Sequence, residues 1–275
     1  MVGAPLVAGE KHQMTAQPAN PYSLADKVGI VTGASRGIGR SCATRLAALG
    51  ANLVVAARGA TELERLASEV SAGGVRCLPV PTDITQPDQV QKLVDTTIKA
   101  FGRIDFLVNV PASVDSFGEL ISQDDETWDD IMGTKLKAYW RLSKLVARTM
   151  IPHRSGAIVN LSGHAGFHPE LLLGIYSIAQ CAVMHLTRAM AGELGRYNVR
   201  VNAVAPGITR TEFAKPLYDT AIKMNIFKRV FALERIAEPD EIAHCVAFLV
   251  SDAASYINGH VLAVDGGMKP LGWWG

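Results

Sequence analysis

The chain has 275 residues, with 27 lysines and arginines against 26 aspartates and glutamates, so its formal net charge is +1. This balance excludes nucleic-acid binding driven by net charge, and a content of 48% hydrophobic and 19% charged residues excludes an extended disordered chain. We expect neither a signal peptide nor a membrane-spanning helix. The four cysteines contain no C-x-x-C pair, which argues against a metal site or disulfides and favours a reduced, cytoplasmic setting.

The first 24 residues are rich in alanine, proline, glycine and glutamine without periodicity, which predicts a flexible N-terminal arm. Residues 25–275 are predicted to form one domain, in which short β-branched runs alternate with amphipathic stretches. In chain order the predicted elements are strand 28–33, helix 37–49, strand 51–58, helix 61–70, strand 76–83, helix 87–101, strand 104–110, helix 125–150, strand 156–162, helix 174–195, strand 199–206 and strand 259–267.

The predicted strands are almost continuously apolar, which is typical of strands that helices cover on both faces. Helices between successive strands also favour a parallel sheet. The sequence therefore predicts an α/β fold, a single Rossmann-type doubly wound domain with a mainly seven-stranded parallel sheet flanked by helices.

A glycine-rich turn joins the first predicted strand to the first predicted helix. Its glycines permit a sharp turn and let the backbone approach a pyrophosphate, while the helix N-terminus supplies N–H donors and a positive dipole. The turn predicts a dinucleotide phosphate site. The candidate cofactor-binding residues in it are Gly33, Ser35, Arg36, Gly37, Ile38 and Gly39.

Further motifs along the chain occur in one known family. The turn reads TGxxxGxG over residues 32–39. It is followed by Asp83-Ile84 after the third strand, Asn109 after the fourth, Tyr176 in a long helix, Pro206-Gly207 with Thr211, and Val-Asp-Gly-Gly at 264–267. With these residues the chain resembles the short-chain dehydrogenase/reductase family over about residues 25–268.

The resemblance implies a nicotinamide cofactor. It implies that Asp83 and Ile84 lie beside the adenine, that Asn109 lies near the ribose, and that the segment from Ile208 to Thr211 lies near the carboxamide. Pro206 and Gly207, which precede that segment, are further cofactor-binding candidates.

The end of the second predicted strand bears on the choice between NAD and NADP. A carboxylate there would bind the 2′-hydroxyl of NAD and repel the 2′-phosphate of NADP. The strand ends in Ala57-Arg58 instead, and Arg36 in the glycine turn adds a second guanidinium that can pair with a phosphate. The sequence therefore favours NADP(H), although both arginines would also suit a solvated surface.

The catalytic positions depart from the family. The resemblance implies that Tyr176 transfers a proton, but the lysine expected four residues later is Gln180. The serine expected thirteen residues earlier is Gly163, which lies between Ser162 and His164, and the expected helix asparagine is Lys135. In addition, the usual Asn-Asn-Ala-Gly turn reads Asn-Val-Pro-Ala at 109–112.

Two explanations of these departures remain open. In the first, redox chemistry is retained: the ammonium of Lys135 acts where the missing lysine would, and His164 or Ser162 polarises a carbonyl. In the second, the hydride machinery is lost, leaving a non-redox cyclase, isomerase or lyase, or a non-catalytic homologue. Each residue also has a plain structural alternative, in which Lys135 points to solvent, His164 is a hydrogen-bonded loop residue and Tyr176 is a packed tyrosine.

Two segments suggest what surrounds the site. Apolar and basic residues alternate over 212–235, which predicts either a lid over the substrate or a docked pair of surface helices. Residues 169–173, PELLL, would add an apolar wall, so we expect an apolar small-molecule substrate. The long helices 125–150 and 174–195, with the apolar tail 271–275, predict a homodimer or homotetramer.

Overall fold

The computed structural model describes residues 20–110, 117–218, 220 and 230–268. All seven predicted strands are present, most of them shorter at their ends than the apolar runs suggested. Their bounds are β1 Val28–Thr32, β2 Asn52–Ala57, β3 Cys77–Pro81, β4 Phe106–Asn109, β5 Gly156–Leu161, β6 Val199–Pro206 and β7 Val261–Val264.

The helices largely follow the predicted ones. Their bounds are α1 Gly37–Ala48, α2 Ala60–Ser71, α3 Pro87–Phe101, α4 Asp125–Met132, α5 Ala138–Met150, α6 Gly174–Leu194, α7 Lys215–Tyr218 and α8 Pro239–Val250. α7 and α8 are not among the helices predicted individually from the sequence. The single helix predicted over 125–150 is present as two helices, α4 and α5, which are joined by a π-helical turn, Gly133–Lys137.

The seven strands form one sheet in the order β3-β2-β1-β4-β5-β6-β7, and every neighbouring pair is parallel. The predicted fold class is confirmed. Strand order reverses between β1 and β4, which places a topological switch point at their carboxyl ends, where open α/β sheets bind ligands.

Helices cover both faces of the sheet. On one face Val31 and Val108 pack with Leu46 of α1 and Val246 of α8, while on the other Ile30 packs in a cluster supplied by α3, α5 and α6. This two-sided burial explains why the strands read as continuous apolar runs rather than alternating ones.

The domain begins earlier than the predicted arm allowed. Residues 1–19 lie outside the described residues, but Leu24 is only 1% exposed and its N–H donates to the Leu49 carbonyl. The carbonyl of Pro21 accepts from Ala253, so residues 20–24 pack on the domain. In the described part of the chain, no helix is both long and apolar enough to span a bilayer.

Candidate active site

The turn between β1 and α1 has the geometry of a phosphate cradle. Gly33 and Gly37 have φ of +59° and +54°, the left-handed region that favours glycine. A Cβ on Gly39 would lie 2.2 Å from the Gly33 carbonyl oxygen, so no larger residue fits. No side chain caps the first turn of α1, which leaves its N–H groups facing outward as donors for an anion. These residues fit a pyrophosphate.

Two neighbouring segments are tied to this turn. The hydroxyl of Thr32 accepts from the Val110 N–H at 2.9 Å and lies 3.1 Å from the Val110 carbonyl, joining β1 to the end of β4. A Cβ on Gly37 would lie 3.2 Å from the Thr211 methyl group. The segment that follows Pro206 therefore lies beside the glycine turn.

The remaining residues of the predicted cofactor site have distinct settings. Arg36 and Arg58 are exposed, and among the described residues neither makes an ion pair. The Asp83 carboxylate accepts hydrogen bonds from the backbone N–H and the hydroxyl of Thr85, so it stabilises the turn in which it lies. Ser35 is half-buried, and Ile38 and Ile84 pack against the two core clusters. Gly207 lies against Asp265, where a Cβ would be 2.9 Å from its Cα.

Asn109 makes contacts that the sequence did not predict. Its side chain is 1% exposed, and the amide nitrogen donates to Ser143 of α5 at 2.9 Å and to Asn160 of β5 at 2.8 Å. Asn160 in turn donates to Thr187 of α6. The side chain of Asn109 thus links β4 to neighbouring elements, and its two amide hydrogens are both used there.

Lys135 lies inside the protein. It is 2% exposed, in the π-helical turn between α4 and α5, and its Nζ is 4.8 Å from the centroid of the Tyr176 ring. The structure rules out the alternative of a lysine that points to solvent. Burial lowers the pKa of Lys135 to about 8, because removal from water disfavours the charged amine.

Tyr176 and Gln180 lie one turn apart on α6. Gly163 faces both, since a Cβ built there would lie 3.2 Å from the phenol oxygen and 3.0 Å from the Gln180 amide nitrogen. Burial raises the pKa of Tyr176, the polar Gln180 side chain lowers it, and the charge of Glu170 raises it, with a net upward shift. The phenol is therefore protonated at neutral pH.

Ser162 and His164 flank this position and both have partners. The Ser162 hydroxyl donates to the backbone carbonyl of Gln180 at 2.9 Å, which ties β5 to α6. His164 is 6% exposed, and its Nδ1 lies 3.2 Å from Oε1 of Glu170. Sequence reasoning missed Glu170, because a carboxylate six residues away through a loop carries no spacing signal.

The predicted lid is described only in part. Residues 219 and 221–229 lie outside the described residues, as does the tail 271–275. Of the described part, the Tyr218 hydroxyl donates to the Thr211 carbonyl and Phe231 is buried. In the predicted apolar wall, Leu171 is 91% exposed, and Leu172 has φ +64°.

A parallel seven-stranded sheet with a glycine turn at its switch point is the fold of a dinucleotide-binding protein. A family model described as Enoyl-(Acyl carrier protein) reductase matches residues 33–269. The chain belongs to the short-chain dehydrogenase/reductase family, whose members use nicotinamide cofactors.

Known relatives differ in what they bind. The chain is 35% identical over 244 residues to dehydrogenase/reductase SDR family member 4 of Bos taurus, covering 89% of this chain and 88% of that protein. A 7α-hydroxysteroid dehydrogenase, solved with NADH and 7-oxo glycochenodeoxycholic acid, superposes with a TM-score of 0.86 at 29% identity, over 92% of this chain and 98% of that one. L-Sorbose reductase from Gluconobacter frateurii, solved with NADPH and L-sorbose, superposes with a TM-score of 0.85 at 30% identity. The match covers 92% of this chain and 100% of that one.

Proposed function

We propose that the protein is an NADP(H)-dependent oxidoreductase that acts on a carbonyl, alcohol or imine within an apolar molecule. Tyr176 transfers the proton, and Lys135 supplies the positive charge that the family places four residues after the tyrosine. The observation that carries the proposal is the position of the Lys135 amine, buried and 4.8 Å from the centre of the Tyr176 ring.

Bound at the glycine turn, the cofactor supplies or takes up a hydride. The chain's own residues handle the proton. In reduction the protonated Tyr176 phenol donates to the substrate oxygen, and the Lys135 ammonium beside the ring and the Gln180 side chain stabilise the resulting phenolate. The raised pKa of Tyr176 favours this direction, since a reduction needs a phenol that still holds its proton.

The exposed guanidiniums of Arg36 and Arg58 support NADP(H) over NAD(H), because a 2′-phosphate would give them an anionic partner. The relatives do not decide this point, since one was solved with NADH and another with NADPH. The apolar residues of the predicted lid support an apolar substrate. A reduced, cytoplasmic setting and a homodimer or homotetramer complete the proposal.

Substitutions at Lys135, Tyr176 and Gln180 test this function. Purified protein is assayed for NADPH oxidation against a panel of apolar ketones, aldehydes and cyclic imines, with Lys135→Asn, Tyr176→Phe and the double variant Lys135→Asn with Gln180→Lys. We expect turnover in the wild type, at least a 100-fold loss in each single variant, and partial recovery in the double variant, which restores the family's arrangement. Lys137→Asn, an exposed lysine of the same π-helical turn, is the control.

The alternatives give different results in the same experiment. Conversion of a substrate while the cofactor keeps its redox state would replace the proposal with a cyclase, isomerase or lyase. Tight NADPH binding without any turnover, with activity only after mixing with a related enzyme, would replace it with a non-catalytic subunit.

A further inference from the structure

In the part of the chain that the structure describes, one buried nitrogen of His164 has no hydrogen-bond partner. Its Nδ1 lies 3.2 Å from Oε1 of Glu170, whereas its Nε2 is closed to solvent and has no partner among the described residues. Leaving a buried polar atom unpaired costs about 1–3 kcal/mol, so such an atom in a folded protein needs an explanation.

The contact with Glu170 decides what this nitrogen can do. A carboxylate accepts hydrogen bonds, so the neutral ring places its proton on Nδ1 and donates it to Glu170. Nε2 is then a lone-pair acceptor. It suits a donor such as a hydroxyl group, rather than the carbonyl that the sequence analysis expected His164 to polarise.

The pair lies on the same wall as the reacting tyrosine. His164 follows Gly163, the residue whose missing side chain leaves room beside the Tyr176 phenol oxygen. The charge of Glu170 raises the pKa of Tyr176. The Glu170 side chain is 38% exposed, so the carboxylate end of the pair reaches solvent, whereas Nε2 of His164 is closed to solvent and meets a ligand only when the surrounding side chains shift.

The segment that carries Glu170 is held in place from several sides. The Glu170 N–H donates to the Ser177 hydroxyl of α6, and the Leu172 carbonyl accepts from Gly118. Leu172 keeps a left-handed conformation, with φ +64°, at a cost of about 1–2 kcal/mol, and such strain persists only where the surroundings over-determine it. The pairing of Glu170 with His164 therefore belongs to a preorganised wall.

We propose that the His164–Glu170 pair binds a hydroxyl group of the substrate, with Nε2 of His164 as the acceptor, while a second oxygen of the same molecule reacts at Tyr176. The substrate class is then a hydroxylated apolar ketone, or the corresponding diol in the reverse direction. This inference rests on the proposed function for the reacting oxygen, but the hydroxyl-binding pair stands on its own geometry.

Kinetics with matched ketones test the pair. The probes are trans-1-decalone and a set of decalones that carry one hydroxyl group at different ring carbons. We expect the wild type to prefer at least one hydroxylated isomer by tenfold or more in kcat/KM, and His164→Phe to bring that ratio to about 1. Glu170→Gln, whose amide oxygen still accepts from Nδ1, should keep the preference, and Glu170→Leu should lose it. His168→Phe, an exposed histidine of the same loop, is the matched control.

A binding measurement separates this inference from the proposed function. Two-bond ¹H–¹⁵N spectra of histidine-labelled protein, with His164 assigned through His164→Phe, should show the Nδ1–H tautomer. The Nε2 resonance should shift when the preferred hydroxydecalone is added with NADP⁺, and not when trans-1-decalone is added. If no ketone turns over but this shift occurs, the redox function fails and the hydroxyl site stands. An Nε2–H tautomer, or equal shifts of the Nε2 resonance with both ketones, would overturn the proposal that the pair binds a hydroxyl group.

Discussion

At the scale of single residues, the site contains one charge in an unusual place. Lys135 is a lysine in the protein interior, and its pKa of about 8 shows that its charged form is disfavoured there. An asparagine, as the family has, would carry no such penalty. The lysine lies beside the Tyr176 ring, where its charge can serve the chemistry proposed above.

The pH dependence of stability measures this penalty. The pKa of Lys135 falls from 10.5 in the unfolded chain to about 8 in the fold, so between these values the unfolded state binds more protons and folding becomes more favourable as pH rises. Below pH 8 the full penalty, about 3 kcal/mol, is present. Urea unfolding gives the free energy of unfolding of the wild type and of Lys135→Met. Between pH 8 and 10.5 the value for the wild type should rise relative to that for Lys135→Met. A difference that stays constant would contradict the buried charge.

The same amine sets the expected pH profile of reduction. Above about pH 8 Lys135 loses its charge and no longer stabilises the phenolate, so kcat/KM for NADPH-dependent reduction should fall with an apparent pKa near 8. In Lys135→Met the remaining activity should lack this descending limb, whereas Lys137→Met should retain it. Persistence of the limb in Lys135→Met would assign it to another group.

Arg58 governs the predicted choice of cofactor. Replacing it with alanine removes a charge-assisted hydrogen bond to the 2′-phosphate, which is worth about 1–3 kcal/mol. Titration should show NADPH binding weakened by about 5- to 150-fold while NADH binding is nearly unchanged. Arg65→Ala, on the exposed face of α2, is the control. Equal losses for both nucleotides would indicate a folding defect instead.

At the scale of elements, two glycines in helical segments differ in whether the fold requires them. A Cβ on Gly39 in α1 would meet the Gly33 carbonyl oxygen at 2.2 Å, so the helix and the glycine turn touch there. Gly133, at the start of the π-helical turn, has helical φ and ψ of −60° and −51°, and no described atom lies within 4 Å of its added Cβ. One glycine permits close contact, and the other only adds flexibility to the unfolded chain.

Alanine at each position tests this difference. Gly133→Ala should stabilise the protein by about 0.5–1 kcal/mol, since alanine fits the helical backbone and restricts the unfolded state. Gly39→Ala should push the glycine turn away from α1 and weaken NADPH and NADH alike, by tenfold or more. Thermal unfolding and nucleotide titration measure the two effects. Unchanged nucleotide affinity in Gly39→Ala would remove the turn from the cofactor site.

At the scale of the whole molecule, the helices on one side of the sheet present large apolar side chains to solvent. Trp128 of α4, Trp140 of α5 and Ile178 of α6 are each 40–44% exposed. Exposed apolar side chains of this size are typical of interaction surfaces, and these helices are the ones on which the subunit contact is predicted.

Sedimentation tests the predicted assembly. At micromolar concentration we expect the mass of a dimer or tetramer, and Trp140→Glu combined with Ile178→Glu should shift the protein toward smaller species, because each change would bury a charge in the interface. A monomeric mass for the wild type would contradict the homo-oligomer. Arg65→Glu, on a different helix, is the control. If it also sediments as smaller species, the dissociation is caused by the change in overall charge and not by loss of the interface.

The sequence by itself determined the sheet and the glycine turn between β1 and α1. These features depend on local requirements: apolar runs for strands buried on both faces, and glycine where the backbone turns sharply beneath a helix. The run of Gly33, Gly37 and Gly39 shows this, because each residue satisfies a need set by its neighbours in the chain.

Only the tertiary structure decided where the side chains at the family's catalytic positions lie. No periodicity predicts the π-helical turn that carries Lys135. One extra residue in a helical turn changes the direction in which the following side chains point, but it leaves the amino-acid composition of the helix unchanged. The contact of Lys135 with Tyr176 joins residues 41 positions apart, and the pairing of His164 with Glu170 depends on a loop held by α6 and by Gly118. Such contacts are set by how elements pack, since burial and pKa are properties of a residue's surroundings in space and not of its place in the chain.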